Sequence, residues 1–263
     1  MGCGVGSHAS TTPANLTFCT CNNPLVILSH WDKDHWAGAL LSKSKTLPLT
    51  WVVPRQQLDA AHKSFAHEII AAGGRLLVLD MPQKNMGAST LSNGQRLKFA
   101  LGEGTTRNDS GIILAIENPD VQFPSSWLLT GDCSYRFFPK SFQYSAPIAV
   151  VAPHHGGITK PNNIAPSPAP FNGYNRLIYS YGPDNKFRTT QHPTPSSINI
   201  HKLAGWDMGS WNSAPGHSTS TGNIRATSKH SPSPFERGGV MVGWEPIPVL
   251  PKICVLGAPI SKH

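Results

Sequence analysis

The chain has 263 residues, 22 Lys plus Arg against 14 Asp plus Glu for a net charge of +8, 39% hydrophobic residues and 5 cysteines. That apolar content excludes global disorder, and Gly and Pro, 24 of each, stay together below the ~25–30% that marks low-complexity chains. The odd, irregularly spaced cysteines show no regular disulfide framework and fit a reducing, cytoplasmic compartment; no run reaches the ~18 apolar residues of a membrane span, and the opening residues do not read as a signal peptide. The length fits one domain over 1–263. Charged residues are only 14%, against an average of about 25%. A positive balance favours anionic partners such as nucleic acid or phosphorylated substrates. Against that, Arg55, Lys63, Arg75, Lys160 and Arg188 are isolated, which is also what plain scatter looks like.

Leu25-Val26-Ile27-Leu28-Ser29 predicts a short buried strand that ends directly in His30. Ala37 to Leu41 reads as a helix start, Thr50 to Pro54 as a strand, and Gln56 to Ala72 as a helix closed by Gly73-Gly74. Arg75 to Leu79 follows as another buried strand. This alternation predicts an α/β layered fold. Strands are then expected at Arg96 to Leu101, Gly111 to Glu117, Ser126 to Thr130, Pro147 to Ala152 and Arg176 to Tyr181, with a short helix at Ser196 to Ala204. The segments 161–174 and 206–239, rich in Pro, Ser, Gly and Asn, read as loops. Each polar cluster falls just after a strand, where layered α/β proteins build sites.

Chemistry concentrates in His30-Trp31-Asp32-Lys33-Asp34-His35. Imidazoles and carboxylates are ligands of Zn²⁺ and of harder divalent ions, and a tight turn after a strand turns alternate side chains into one pocket. His30 and Asp32 are expected to face one metal position, and Asp34 and His35 the adjacent one. An exposed polar turn is the bland alternative. Gly131-Asp132 adds a carboxylate at a strand end, able to bridge two cations, and Pro153-His154-His155-Gly156 adds one or two imidazoles. His62 and His67 read as helix-face residues. Cys19-Thr20-Cys21 lacks a second cysteine pair at zinc-ribbon spacing.

The order of these motifs resembles the metallo-β-lactamase superfamily, whose signature is HxHxDH, a third ligand, Gly-Asp and a final His. Ser29-His30-Trp31-Asp32-Lys33-Asp34-His35-Trp36-Ala37-Gly38 is similar to the SHxDxDHxGG form in the metallo-hydrolase domain of ComEC-type DNA-uptake proteins and their stand-alone relatives. Asn108-Asp109-Ser110 resembles that subgroup's Asn-x-Ser element, and Pro153-His154-His155-Gly156 its PHHGS, with Gly157 in place of the serine. Ser180 to Phe187 with His192-Pro193 resembles its S-x-G-x-x-N-x-[YF]…HP segment, and Thr221 to Ile224 with Gly239 to Val242 its closing hairpin. Met1-Gly2-Cys3-Gly4 looks like the Asp-x-Gly turn that precedes HxDxDH, with the upstream strands missing.

The resemblance implies an αββα sandwich lacking its N-terminal strands and holding one or two divalent metal ions, Zn²⁺ or Mn²⁺. His30, Asp32 and Asp132 are assigned to one position, and Asp34, Asp132, His155 and His35 to the other, with His154 beside them. Asp34 and Asp132 are also the expected catalytic carboxylates, and His192 is expected to contact or protonate the leaving oxygen. The expected activity is phosphodiester hydrolysis by metal-activated water, on DNA by analogy, with Trp31, Trp36 and Phe187 available to stack on bases. Hydrolysis of a small ester, thioester or lactam, and a non-catalytic remnant, are the alternatives.

Overall fold

The computed structural model describes residues 23–80, 87–91, 93–119, 123–157, 161–170, 175–180, 186–187, 190–208, 223–226 and 242–244. Cys19-Thr20-Cys21, the Met1 to Gly4 turn, Tyr181 to Asn185, Thr221-Gly222, Gly239 to Met241 and most of 206–239 lie outside them. So does the Phe187 side chain. The chain divides after Asp80 into two compact units. Among the described residues no helix is long and apolar enough to cross a membrane.

The first unit is a parallel sheet of β1 (Val26–Ile27), β2 (Thr50–Pro54) and β3 (Arg75–Leu79), with β2 central. Two short helices, α1 (Lys33–Trp36) and α2 (Lys43–Thr46), and a 3₁₀ turn (Ala37–Ser42) join β1 to β2. The longer α3 (Ala60–Ala71) joins β2 to β3 and buries His62, Phe65 and Ile69, one stripe of the helix. The expected helix from Gln56 starts four residues later. The Asp59 carboxylate accepts from Ala61 N and His62 N, at 3.0 and 3.2 Å, and His62 Nδ1 accepts from Asp59 N, which makes a capping box with His in the usual Glu place. Helix also begins earlier than Ala37, at Lys33 inside the polar motif.

Tryptophans fill this unit's core. Trp36 stacks on Phe65 at 4.4 Å and Trp51 meets the same ring edge-on at 5.4 Å. The indole N–H of Trp31 donates to Pro54 O and that of Trp36 to Trp31 O, so each ring buries without losing its hydrogen bond. Trp31 and Trp36 are therefore core residues with no face for a base, contrary to the stacking expected of them. The strand Arg75–Leu79 is also less buried than expected. It pairs with β2 alone among the described residues, and Leu77 and Val78 are exposed.

The second unit holds β4 (Gly87–Thr90), β5 (Arg96–Leu101), β6 (Ile112–Asn118), β7 (Ser125–Leu129), β8 (Pro147–Val151) and β9 (Arg176–Tyr179). The short pair β10 (Lys186–Phe187) and β11 (Thr190–Gln191), the helix α4 (Pro195–Leu203) and β12 (Ile224–Ala226) complete it. Seven strands form one sheet in the order β12-β9-β8-β7-β6-β5-β4. From β4 to β7 neighbours run antiparallel; β7, β8, β9 and β12 run parallel. Parallel neighbours align their C-terminal ends, so the turns after β7 and β8 emerge on one edge of the sheet. The protein is a mixed α/β structure with few helices.

The core of this unit gathers Ile113, Leu128, Val150, Leu177, Tyr179, Trp206 and Ile224. His201, on α4, is fully buried there: its Nδ1 donates to Ser197 O at 2.7 Å, Tyr179 Oη lies 2.9 Å from the same nitrogen, and Tyr135 Oη lies 2.8 Å from Nε2. Burial pushes the imidazole down from 6.5 to about 4, against a smaller opposing effect of the Ser197 carbonyl. The unfolded chain then takes up a proton below pH 6.5 that the folded chain refuses until about 4. Stability contributed by neutral His201 is thus whole above that window and lost as pH falls through it, on the order of 3 kcal/mol at 1.36 kcal/mol per pH unit. Thermal unfolding followed from pH 7.5 to 4 is expected to show this loss, and His201→Phe should flatten the slope between 6.5 and 4.

Candidate metal centre

The first unit contributes one cluster. Ser29 and His30 leave β1, Asp32 is the N-cap residue of α1 in extended conformation, and Asp34 and His35 occupy its only turn. His30 and His35 are buried, with ring centroids 4.0 Å apart. A ligating nitrogen of each lies within 4.8 Å of the other. His30 Nε2 is 3.5 Å from Asp32 Oδ2, and His35 Nε2 is 3.6 Å from Asp34 Oδ2, while both carboxylates stay partly exposed. The local cause is plain: two half-buried residues of β1 and the buried Trp31 and Trp36 anchors hold the turn in place.

The second unit contributes another cluster, on the aligned ends of β7 and β8. Asp132 follows Gly131, which takes φ 54°, and is 5% exposed. His155 Nδ1 lies 2.7 Å from the Ser180 carbonyl, which only an N–H donor satisfies. That hydrogen bond fixes the tautomer with the lone pair on Nε2. This Nε2 faces Asp132 Oδ1 at 4.0 Å, and His154 Nε2 lies 3.8 Å from Asp132 Oδ2. A lone-pair nitrogen 4.0 Å from a carboxylate oxygen is slightly wider than the spacing of two ligands tetrahedrally bound to one cation at ~2.0–2.2 Å, so a small inward movement of either side chain would let both bind it.

The turn carrying these imidazoles is strained. His154 (φ 49°), His155 (φ 56°) and Gly156 (φ 81°) are three successive left-handed residues. Each non-Gly residue there costs about 1–2 kcal/mol, a cost tolerated at sites where direction of a side chain matters more than stability. Gly157 follows because a Cβ there would lie 2.9 Å from His154 O and 3.0 Å from His192 Nε2. The serine of the resembling motif has no room in this packing. His154→Gly is expected to raise the unfolding free energy by about 0.5–1 kcal/mol, relief of strain offset in part by the greater freedom of unfolded Gly. Metal affinity should fall in the same variant, a combination that thermal melts and metal titration read separately.

His192 is buried, with its ring 5.9 Å from that of His154. It belongs to the second cluster by position and stands behind Gly157. His62 and His67 both lie on α3, His62 buried in the capping box and His67 exposed.

Three residues at these clusters stand inside the matched motifs without any role being expected of them. Ser29 Oγ lies between the two imidazoles of its unit. The Ser180 carbonyl orients His155. Asp109, buried in the middle of Asn108-Asp109-Ser110, accepts from Thr106 Oγ1 at 2.8 Å and from Ser134 N at 3.3 Å, while its carbonyl accepts from Gly104 N and the Cys133 thiol. It thereby ties the β5–β6 connection to the turn that bears Asp132. Gly102 is required beneath it, since a Cβ would come within 2.2 Å of Asp109 O.

The donor chemistry fits a divalent cation of intermediate to hard character. The donors are imidazole nitrogens and carboxylate oxygens, and the cysteine nearest Asp132 is no thiolate: burial, with Asp109 and Asp132 close by, pushes the Cys133 thiol far up. His and Asp groups of this structure could thus bind a metal ion. Comparison of the chain with family models, with curated proteins and with solved structures finds no match.

Proposed function

We propose that the chain is a metal-dependent hydrolase of metallo-β-lactamase type and that its substrate is a phosphodiester. The observation that carries this reading is His155 Nε2, locked as a lone-pair donor by the Ser180 carbonyl and aimed at Asp132. Each unit supplies its own ligands in this proposal: His30, Asp32, Asp34 and His35 in the first, and Asp132, His155 and His154 in the second. Zn²⁺ and Mn²⁺ suit the mixed nitrogen and oxygen donors. Such cations, when bound, supply a water of near-neutral pKa and charge neutralisation at a phosphoryl oxygen.

The chain's own residues do the rest. Asp132 and the strained His154-His155 turn hold ligand atoms fixed, so little reorganisation is needed when substrate arrives. His192, adjoining Gly157, is assigned the proton of the leaving oxygen. The net charge of +8 favours a phosphodiester over an uncharged ester. The mixed sheet, with sites at strand ends, is compatible with the αββα sandwich as a proposal about fold.

The test is turnover of bis-p-nitrophenyl phosphate and of single-stranded and duplex DNA beside a β-lactam and a thioester, each with added Mn²⁺ or Zn²⁺. Phosphodiester cleavage that vanishes with chelator supports the proposal. Turnover of the lactam or thioester alone contradicts the substrate class, and no turnover of any substrate with metal present contradicts the hydrolase reading.

A further inference from the structure

Ser29 sits where a single hydroxyl meets two imidazoles. Its Oγ lies 3.2 Å from His30 Nδ1 and 3.1 Å from His35 Nδ1, within hydrogen-bond range of both. We infer that Ser29 is a positioning residue that accepts an Nδ1–H from each ring and so turns both Nε2 lone pairs toward Asp32 and Asp34. A hydroxyl oxygen has two lone pairs and can accept both bonds while its own hydrogen points elsewhere. The competing arrangement puts the ring hydrogens on Nε2, opposite Asp32 Oδ2 at 3.5 Å and Asp34 Oδ2 at 3.6 Å. Both separations are longer than the contacts with Ser29, which favours the hydrogens on Nδ1.

The consequence reaches further than one ligand. His155 has the Ser180 carbonyl to itself, whereas His30 and His35 share one hydroxyl. In the metal reading proposed above, on which this inference rests, both rings are ligands, and their ligating nitrogens lie within 4.8 Å of each other. Ser29 therefore couples them. Without its hydroxyl each ring is free to carry its hydrogen on the nitrogen that must ligate, and both ligands weaken together. Loss of such an outer hydrogen bond typically lowers metal affinity about 10–100-fold.

The experiment compares wild type, Ser29→Ala and Ser29→Thr in three measurements. Zn²⁺ is titrated calorimetrically against a competing chelator. The ring tautomers of the metal-free and zinc-loaded chains are read from ¹H–¹⁵N spectra of the histidines. The thermal midpoint of each metal-free protein reports on the fold. Ser29→Ala is expected to weaken every zinc equivalent bound by the first unit's histidines about 10–100-fold and to bring Nε2–H tautomers into the metal-free spectrum, while Ser29→Thr stays within about threefold of wild type. Unchanged affinity and tautomers in Ser29→Ala, or a loss in Ser29→Thr as large as in Ser29→Ala at an unaltered thermal midpoint, overturn the assignment. Should the wild type take up no zinc, the metal reading fails instead. The metal-free tautomers then decide the role of Ser29 alone: Nδ1–H on both rings, lost in Ser29→Ala, supports it, and any other pattern overturns it.

Discussion

If the chain is the metal-dependent hydrolase proposed, replacing Asp132 by Asn is expected to remove most of its turnover, because a neutral amide neither balances the cation charge nor offers two equivalent oxygens, and water without a fully held metal keeps a pKa far above neutrality. The substitution is nearly isosteric. Asp132 is buried between two imidazoles, His154 and His155, whose Nε2 atoms lie 3.8 and 4.0 Å from its oxygens. In the metal-free chain the exchange removes a buried negative charge, so stability should hold or rise slightly. Steady-state rates with saturating Mn²⁺, set beside a thermal melt of the metal-free variant, check both halves of this expectation. A variant that melts like wild type and hydrolyses like wild type would remove Asp132 from the centre.

The largest effect on stability is expected at Trp36. Its ring stacks on Phe65 at 4.4 Å, its N–H donates to Trp31 O at 2.8 Å, and it is 5% exposed. Trp36→Ala opens a cavity in the first unit's core and strands the Trp31 carbonyl, at a cost of about 3–5 kcal/mol. Chemical denaturation of the full chain measures this directly. Trp36→Phe retains the stack and should lose about half as much or less. If Trp36 instead stacked on nucleic acid, its replacement by Ala would weaken DNA binding while leaving the denaturation midpoint in place.

Much of the strand framework could be read from apolar runs alone. Thr50–Pro54, Arg75–Leu79 and Arg96–Leu101 form with the expected bounds, and the remaining long strands differ by one or two residues at their ends. These are runs of Val, Ile, Leu and Trp between turn residues, where local composition and packing agree. Gly87–Thr90 escaped notice because Gly, Ala, Ser and Thr on a largely exposed edge strand carry no alternation. Ile224–Ala226 is three residues long, and it is defined by pairing with the distant Arg176–Tyr179. The start of α3 escaped because a His completes its capping box in the place usually held by Glu or Gln. Strand order, with β12 beside β9 and β4 at the far edge, is a long-range property that no local pattern encodes.

At the candidate centre, residue types were legible and conformations were not. His30, Asp32, Asp34, His35, Asp132, His154 and His155 stand out as potential ligands because such side chains seldom crowd the end of an apolar run. That His154 and His155 adopt left-handed backbone was hidden, since a residue other than Gly takes positive φ in only a few per cent of cases and nothing in the sequence marks which. The orienting partners were hidden too. A backbone carbonyl such as that of Ser180 has no identity in sequence, and a serine such as Ser29 is one of many. Trp31 and Trp36 show the opposite error: aromatic residues flanking a polar motif suggested a surface for bases, yet they bury to hold the motif still.

The central claim is that this chain carries divalent metal on these named ligands. Metal content of the purified, chelator-stripped and reloaded chain, measured by elemental analysis alongside Asp132→Asn and His155→Ala, tests it most directly. The account predicts between one and two equivalents of zinc or manganese in the wild type, with a clear loss of tightly held metal in each variant while the fold is kept. A wild-type chain that retains no metal after reloading, or variants that retain as much as wild type, would contradict it.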